Sequence, residues 1–567
     1  MKHLVSLFFA FIMVAPAFAA EQNCKASAQE PVKLLSAELK RGFKTFKKQN
    51  PPVYYMSYTY IATREFYLSV ADGGVAARKD YPEQYMDVQV RAGSPALDNT
   101  RNLKNANNDY SIVSGSVPSM EESGASFTAA VWRLTQRAIE RAQKDYGRVQ
   151  ADVQAASQRM DDSPDFVLPP KSSFCRTAPE VSMNLDKIEK MLLSVSRAVQ
   201  GNAVVLDSFF VFSGTFGHRY FVDSQGTQLK TPLIEFRLSY SLYGKTADGL
   251  EISRFNSYDM LDESGLPSED KLLADVKQSL RELEELSRAP LAEPMTAPAI
   301  LKNRAMGVFV HEVLGHRMEG HRQKEDSFGR TFTSKIGQTV TAPFISVVDE
   351  APLESFNGIP LRGFYEYDDE GIKSQPVVMI EHGVLKNFLM SSSPIKGFPV
   401  SNGHGRSGLG KRAVARMGNT RVIASETVPY DELEKMLVEE INRQGKPYGF
   451  IVEDLSGGFT MTDTGSPQVF KLEPKYVYRV YPDGKKEVIR GADLVGTPLV
   501  SFSQILAAAD DDGIFNGNCG AESGWVPVSA IAPSVLFKTL EFEHTAKSAV
   551  KPPVLPPPFA VKKGDKK

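Results

Sequence analysis

The sequence predicts an α+β protein of more than one domain, on three observations: a length beyond one ordinary core, segregated runs of strand and helix periodicity, and a proline-rich break near the middle. At 567 residues the chain is expected to form two large domains or three smaller ones. A composition of 42% hydrophobic and 24% charged residues is that of a globular protein. The 66 basic and 68 acidic residues nearly cancel, so no overall electrostatic drive toward nucleic acid or anionic lipid exists, and no nucleic-acid partner is expected.

The N-terminus is the first element to explain. Lys2 and His3 precede an apolar run from Leu4 to Pro16, and Ala17-Phe18-Ala19 supplies the small residues of a cleavage site. Residues 1–19 therefore read as a secretory signal, and the product as periplasmic or secreted. No later stretch approaches about 18 uninterrupted apolar residues, so no stable membrane span is expected. Export makes the three cysteines informative, because one must stay unpaired. Cys24 and Cys175 can pair in an oxidising compartment. For Cys519, in a Gly/Asn loop, metal ligation and a buried inert thiol are both open readings.

Helical spacing is expected over residues 32–48, 126–154, 185–200 and 268–287, with strands over 53–70, 85–91 and 203–250. The proline-rich stretch 289–298 reads as a linker between a first domain, 20–290, and a second, 299–548. That second domain opens with a helix expected over 300–320 and continues as strand and turn from 344 to 489, interrupted by a helix over 430–443. Glu381-His382-Gly383-Val384 sits between apolar runs as a hairpin turn should. Residues 549–567, dominated by Pro and Lys, cannot bury enough apolar surface to fold and read as a disordered tail.

The chemistry-bearing motif is His311-Glu312-Val313-Leu314-Gly315-His316, behind an apolar helical approach. In a regular helix two histidines five residues apart diverge by roughly 140°, too far to share an ion. A π-type widening or a helix end at Gly315 restores convergence, so a distortion is expected at 314–316. Neutral imidazole and thiolate suit Zn²⁺, and a catalytic zinc keeps three protein ligands and an open position for water. Glu312 is then placed to take a proton from that water. Glu319 and His321 follow closely and can ligate, orient a ligand or face solvent.

Several segments together resemble the TldD/PmbA metallopeptidase family over roughly residues 305–542. HEVLGHRMEG at 311–320 is similar to that family's HExxxHxxEG. Residues 363–371, GFYEYDDEG, resemble its strand leading to an FDDEG turn, and 380–389 its next hairpin. Residues 415–420, ARMGNT, resemble its PRMTNT segment, and Cys519-Gly520 followed by Val526-Pro527-Val528 its C-terminal element carrying a cysteine ligand. The resemblance implies an N-terminal α/β domain and a C-terminal, mainly antiparallel β domain that carries the metal helix. It also implies a zinc site of His311, His316 and Cys519 and a peptidase acting on flexible or unfolded polypeptides. The implied assembly is a dimer, either a homodimer or one with a TldE/PmbA-like paralogue.

Gly403-His404-Gly405-Arg406-Ser407-Gly408 fits GxGxxG, but a dinucleotide site needs it between strand and helix, which the flanking prolines deny. Arg406, Lys411 and Arg412 near this loop are candidates to meet a substrate carboxylate, a solvated loop being the alternative. Two rival functions stay open at this level. One is a zinc amidase of another substrate class, the other an exported binding or assembly subunit with a structural metal.

Overall fold

The computed structural model describes residues 30–103, 108–120, 124–155, 161–324, 331–462 and 469–545. The expected signal at 1–19, Cys24 and the expected tail at 549–567 lie outside the described residues. The chain is an α+β protein, with a helix-and-sheet N-terminal half and a mainly antiparallel C-terminal half.

Two long strands, Val53–Ala71 and Gly74–Ser94, pair antiparallel almost throughout and set the N-terminal half. Val205–Asp223, Gln228–Lys245 and Glu251–Met260 extend this eight-stranded sheet. Strand alternation sends Tyr58, Tyr60, Leu68, Phe210, Phe212 and Leu238 to one face, where they are buried. Helices α1 (Glu30–Phe46) and α2 (Gly124–Ala155) cover one end of that face, and α3 (Leu185–Val199) and α4 (Glu269–Arg288) the other. Ser268 caps α4 by accepting from Lys271 N at 3.2 Å. The opposite face meets the C-terminal half: Asp87 Oδ2 accepts from Gly410 N at 3.0 Å, and Arg219 pairs with Asp369.

The C-terminal half holds two sheets. The six-stranded one runs Val384–Leu385, Val377–Glu381, Ile345–Asp349, Asn419–Ala424, Gly524–Ala532, Gly513–Ala521. The seven-stranded one includes Gly449–Thr460, Met295–Leu301, Val535–His544, Ala492–Gly496 and Phe470–Val480, and pairing of the first with the last closes these five into a ring. Helix α5 (Asn303–Val313) lies between the sheets, packed on Gly449–Thr460 from one side and on Gly513–Ala521 and Gly524–Ala532 from the other. This explains its nearly unbroken apolar sequence, since a helix enclosed all round keeps no polar stripe. Phe309 meets Phe470 and Phe537 edge-on, at centroid distances of 5.6 and 5.2 Å.

The expected hairpin is present: Glu381 pairs with Val384 across His382 and Gly383, at φ 46° and 78°, the double left-handed turn that favours glycine. Two expectations are corrected. The second part of the proline-rich stretch is strand, Met295–Leu301, with Pro298 opposite a bulge between Phe537 and Leu540 where no ladder hydrogen bond is required of it. The helix expected over 300–320 therefore starts later, at Asn303, and ends at Val313; the apolar run at 297–301 is buried strand, which periodicity cannot separate from buried helix.

Candidate metal centre

Helix α5 delivers His311 and Glu312 in its last turn. Leu314, at φ −107° and ψ −53°, breaks the helical ladder, and a 3₁₀ turn, Gly315–Arg317, carries His316. The distortion expected at 314–316 is thus a helix end and not a π-type widening. Glycine at 315 leaves room for the Met417 side chain, which a Cβ there would displace. The histidine rings end face to edge, with centroids 5.1 Å apart.

Cys519 arrives from across the domain, on the strand Gly513–Ala521, which forms the edge of the six-stranded sheet and faces α5. It is the free cysteine among the described residues, while Cys175 is disulfide-bonded. Ligand atoms of His311, His316 and Cys519 lie within 4.8 Å of one another, all three residues being buried. Cys519 Sγ is 3.4 Å from His316 Nε2; two such ligands on a tetrahedral zinc would be about 3.6 Å apart.

The electrostatics support a cation there. Burial alone would push the Cys519 thiol up, but His316, His311 and Arg416 bring it well below its usual value. Burial would likewise push His316 down, yet the Cys519 thiolate and the Glu319 carboxylate hold it well above the usual imidazole range. Without an ion, Nε2 and Sγ are a proton-sharing imidazolium–thiolate pair; a metal ion that displaces the proton would take both donor pairs. His311 Nδ1 is buried without a hydrogen-bond partner, an arrangement that costs about 1–3 kcal/mol if nothing is bound. These residues fit a zinc ion.

Around this triad lies a charged shell that local sequence spacing conveys only in part. Glu319 contacts His316 Nδ1 at 3.2 Å and accepts from Arg322 Nε at 2.7 Å. Against burial, His316, Arg322 and Arg416 hold its carboxyl at about 2. His321 pairs with Glu522 and is grouped with Glu319 and Glu522, outside the His311–His316–Cys519 group. Arg416 donates to Cys519 Sγ at 3.0 Å and to its carbonyl at 2.7 Å. Arg416 lies in the ARMGNT segment, which by itself gives it no role, and Arg322 and Glu522 lie outside the sequence-predicted site. The i,i+3 spacing of Glu319 and Arg322 was a usable signal; nothing local marked Glu522. Burial pushes the Glu312 carboxyl up, against the pull of His316 and His311.

The two arginines expected near the substrate both have protein partners. Arg406 is buried, donates to the Met417 carbonyl at 2.6 Å and stacks on Tyr365. Arg412 donates to Thr100 O and, at 2.6 Å, to Asn102 Oδ1, tying the glycine-rich loop to the N-terminal half. That loop holds a two-residue strand, Gly405–Arg406, paired with Val414–Ala415, and no helix follows it.

Residues 294–544 match the model of the PmbA/TldA metallopeptidase C-terminal domain. A metalloprotease TldD homolog of Haemophilus influenzae is 30% identical over 266 residues, 46% of this chain and 50% of that protein. A zinc metalloprotease TldD homolog of Saccharolobus solfataricus is 26% identical over 246 residues, 43% of this chain and 51% of that protein. The chain thus spans about half the length of these curated relatives. Among solved structures, TldE from Thermococcus kodakarensis shares the fold at a TM-score of 0.59 and 15% identity, covering 90% of this chain and 100% of that one.

Proposed function

We propose that this chain, whose residues 294–544 match the PmbA/TldA metallopeptidase C-terminal domain, is a zinc-dependent peptidase of the TldD/PmbA family hydrolysing peptide bonds in flexible or unfolded polypeptides. His311, His316 and Cys519 are its ligands and Glu312 its general base. One observation carries the reading: three donors of zinc-preferring type converge, and a glutamate stands next to the first of them. A structural site would recruit a fourth protein ligand, whereas the next histidine along the chain, His321, is paired with Glu522. When bound, zinc lowers the pKa of a water to about 7 and polarises the scissile carbonyl. Glu312 takes the proton of the attacking water on its carboxylate and returns it to the leaving amine. Burial, which pushes that carboxyl up, improves it as a proton carrier near neutral pH.

The proposal includes export to the periplasm, directed by residues 1–19, and assembly as a dimer with a second copy or with a TldE/PmbA-like paralogue. No helix among the described residues is long and apolar enough to cross a membrane. N-terminal sequencing of the mature protein tests the first point and its mass in solution the second. For the activity, Glu312→Gln is expected to retain one zinc per chain and to lose at least about 100-fold in degradation of a reduced, unfolded polypeptide. Turnover equal to the parent's, or degradation indifferent to a chelator, would remove Glu312 or the metal from the mechanism.

A further inference from the structure

We propose that Arg416, Glu319, Arg322 and Glu522 form a charge-balanced frame that holds His316 and Cys519 in ligating position, with Arg416 as the positioning residue that contacts Cys519 directly and His316 through Glu319. The inference rests on the metal-site reading above. Its basis is a chain of contacts joining three segments distant in sequence. Arg416 Nη2 donates to Cys519 Sγ and to its carbonyl, fixing side chain and backbone together. Its Nη1 donates to Ser523 Oγ at 2.9 Å and to the Gly524 carbonyl at 3.0 Å, farther along the same hairpin. Its Nε lies 3.2 Å from Glu319, whose carboxylate holds His316 Nδ1 and so leaves Nε2 for the ion. Arg322 then bridges Glu319, at 2.7 Å, and Glu522, at 2.8 Å, closing the path back to the hairpin that bears Cys519.

Two guanidinium groups match two carboxylates, all four buried or nearly so. That balance decides against the other use of these groups. Glu319, His321 and Glu522 offer ligand atoms within 4.8 Å of one another, but a second divalent ion would add positive charge where the arginines already supply it. The frame instead leaves Cys519 Sγ and the two imidazoles as the donors that converge on the ion site. Lysine at 416 would keep the charge but lose the planar fork that donates to Sγ, Ser523 Oγ and two carbonyls at once while standing beside a carboxylate.

The test is a Co²⁺ titration of the metal-free full chain, in competition with a chelator, followed by the thiolate-to-cobalt charge-transfer band. Arg416→Lys is expected to weaken binding by about 10- to 100-fold and to displace the band. Arg322→Lys and Glu522→Gln, which touch no ligand, are expected to weaken it by about 3- to 10-fold, at the lower end of such outer-shell effects. Parental affinity and an unmoved band in Arg416→Lys would overturn the frame. If that variant does not fold, folded Glu522→Gln decides, and unchanged affinity there overturns it equally. Parent protein that binds Co²⁺ with no thiolate band, a result shared by Cys519→Ser, would instead overturn the metal reading itself.

Discussion

Two clusters of fully buried carboxylates, Glu319 beside the metal centre and Asp368 with Glu370 at the junction of the two halves, behave in opposite ways. Both suffer the same desolvation. Glu319 is met by His316, Arg322 and Arg416, and its carboxyl is held at about 2. Burial pushes Asp368 up to about 8, with Glu370 adding to the rise; Glu370 is raised as well, chiefly by burial. Backbone N–H groups of Glu370, Ile372 and Gly405 donate to Asp368, and that of Ser392 to Glu370, yet no guanidinium is within ion-pair distance of either carboxylate among the described residues. The lesson is that burial alone does not fix the state of a carboxyl; the charges brought to it by distant segments do.

The comparison can be broken most severely at Glu319. Glu319→Ala would leave Arg322, Arg416 and His316 facing one another in the core, and a loss of about 3–5 kcal/mol in denaturant unfolding is expected. A loss under about 1 kcal/mol would show that the cations are solvated and the cluster is not a frame. The pH dependence sharpens the same contrast. Glu319 contributes stability that is present above its ordinary value of 4.5 and is lost as pH falls toward 2. Asp368 does the reverse: its contribution is full below 3.8 and is lost as pH rises through about 8. Unfolding of the metal-free chain should therefore show an acid-labile and an alkali-labile component, and a single acid transition would contradict this. The smallest effect is expected for Glu370→Gln, which keeps the acceptor for Ser392 N but removes a charge. It should stabilise the chain at pH 8 and flatten the loss on raising pH, because burial raises this carboxyl; destabilisation there would show that the attraction of Arg91 outweighs burial.

What could be read from the sequence follows the range over which each signal acts. Periodicity placed the strand Val53–Ala71 and the helix Tyr430–Arg443 because their patterns are local. It misplaced the start of α5, where strand and helix are both apolar because both are enclosed. The five-residue histidine spacing forced a break in the helix, and the break lies at Leu314. It could not choose a helix end over a widened turn, since both bring the imidazoles together and the surroundings of the turn, Met417 against Gly315 among them, come from distant segments. In the shell, Arg322 left an i,i+3 spacing to Glu319, whereas Arg416 and Glu522 were illegible for the same reason: contacts between segments about 100 or more positions apart leave no spacing behind. Arg412 shows the converse, a loop cation that looked available and is spent on Thr100 and Asn102 of the other half.

The account stands on one ion held by residues 311, 316 and 519. X-ray absorption at the zinc edge of the metal-loaded full chain tests it most directly. The account predicts one sulfur at about 2.3 Å and two imidazole nitrogens at about 2.0–2.1 Å, with an oxygen completing four-coordination. A shell with no sulfur, or one filled by four protein ligands, would contradict it.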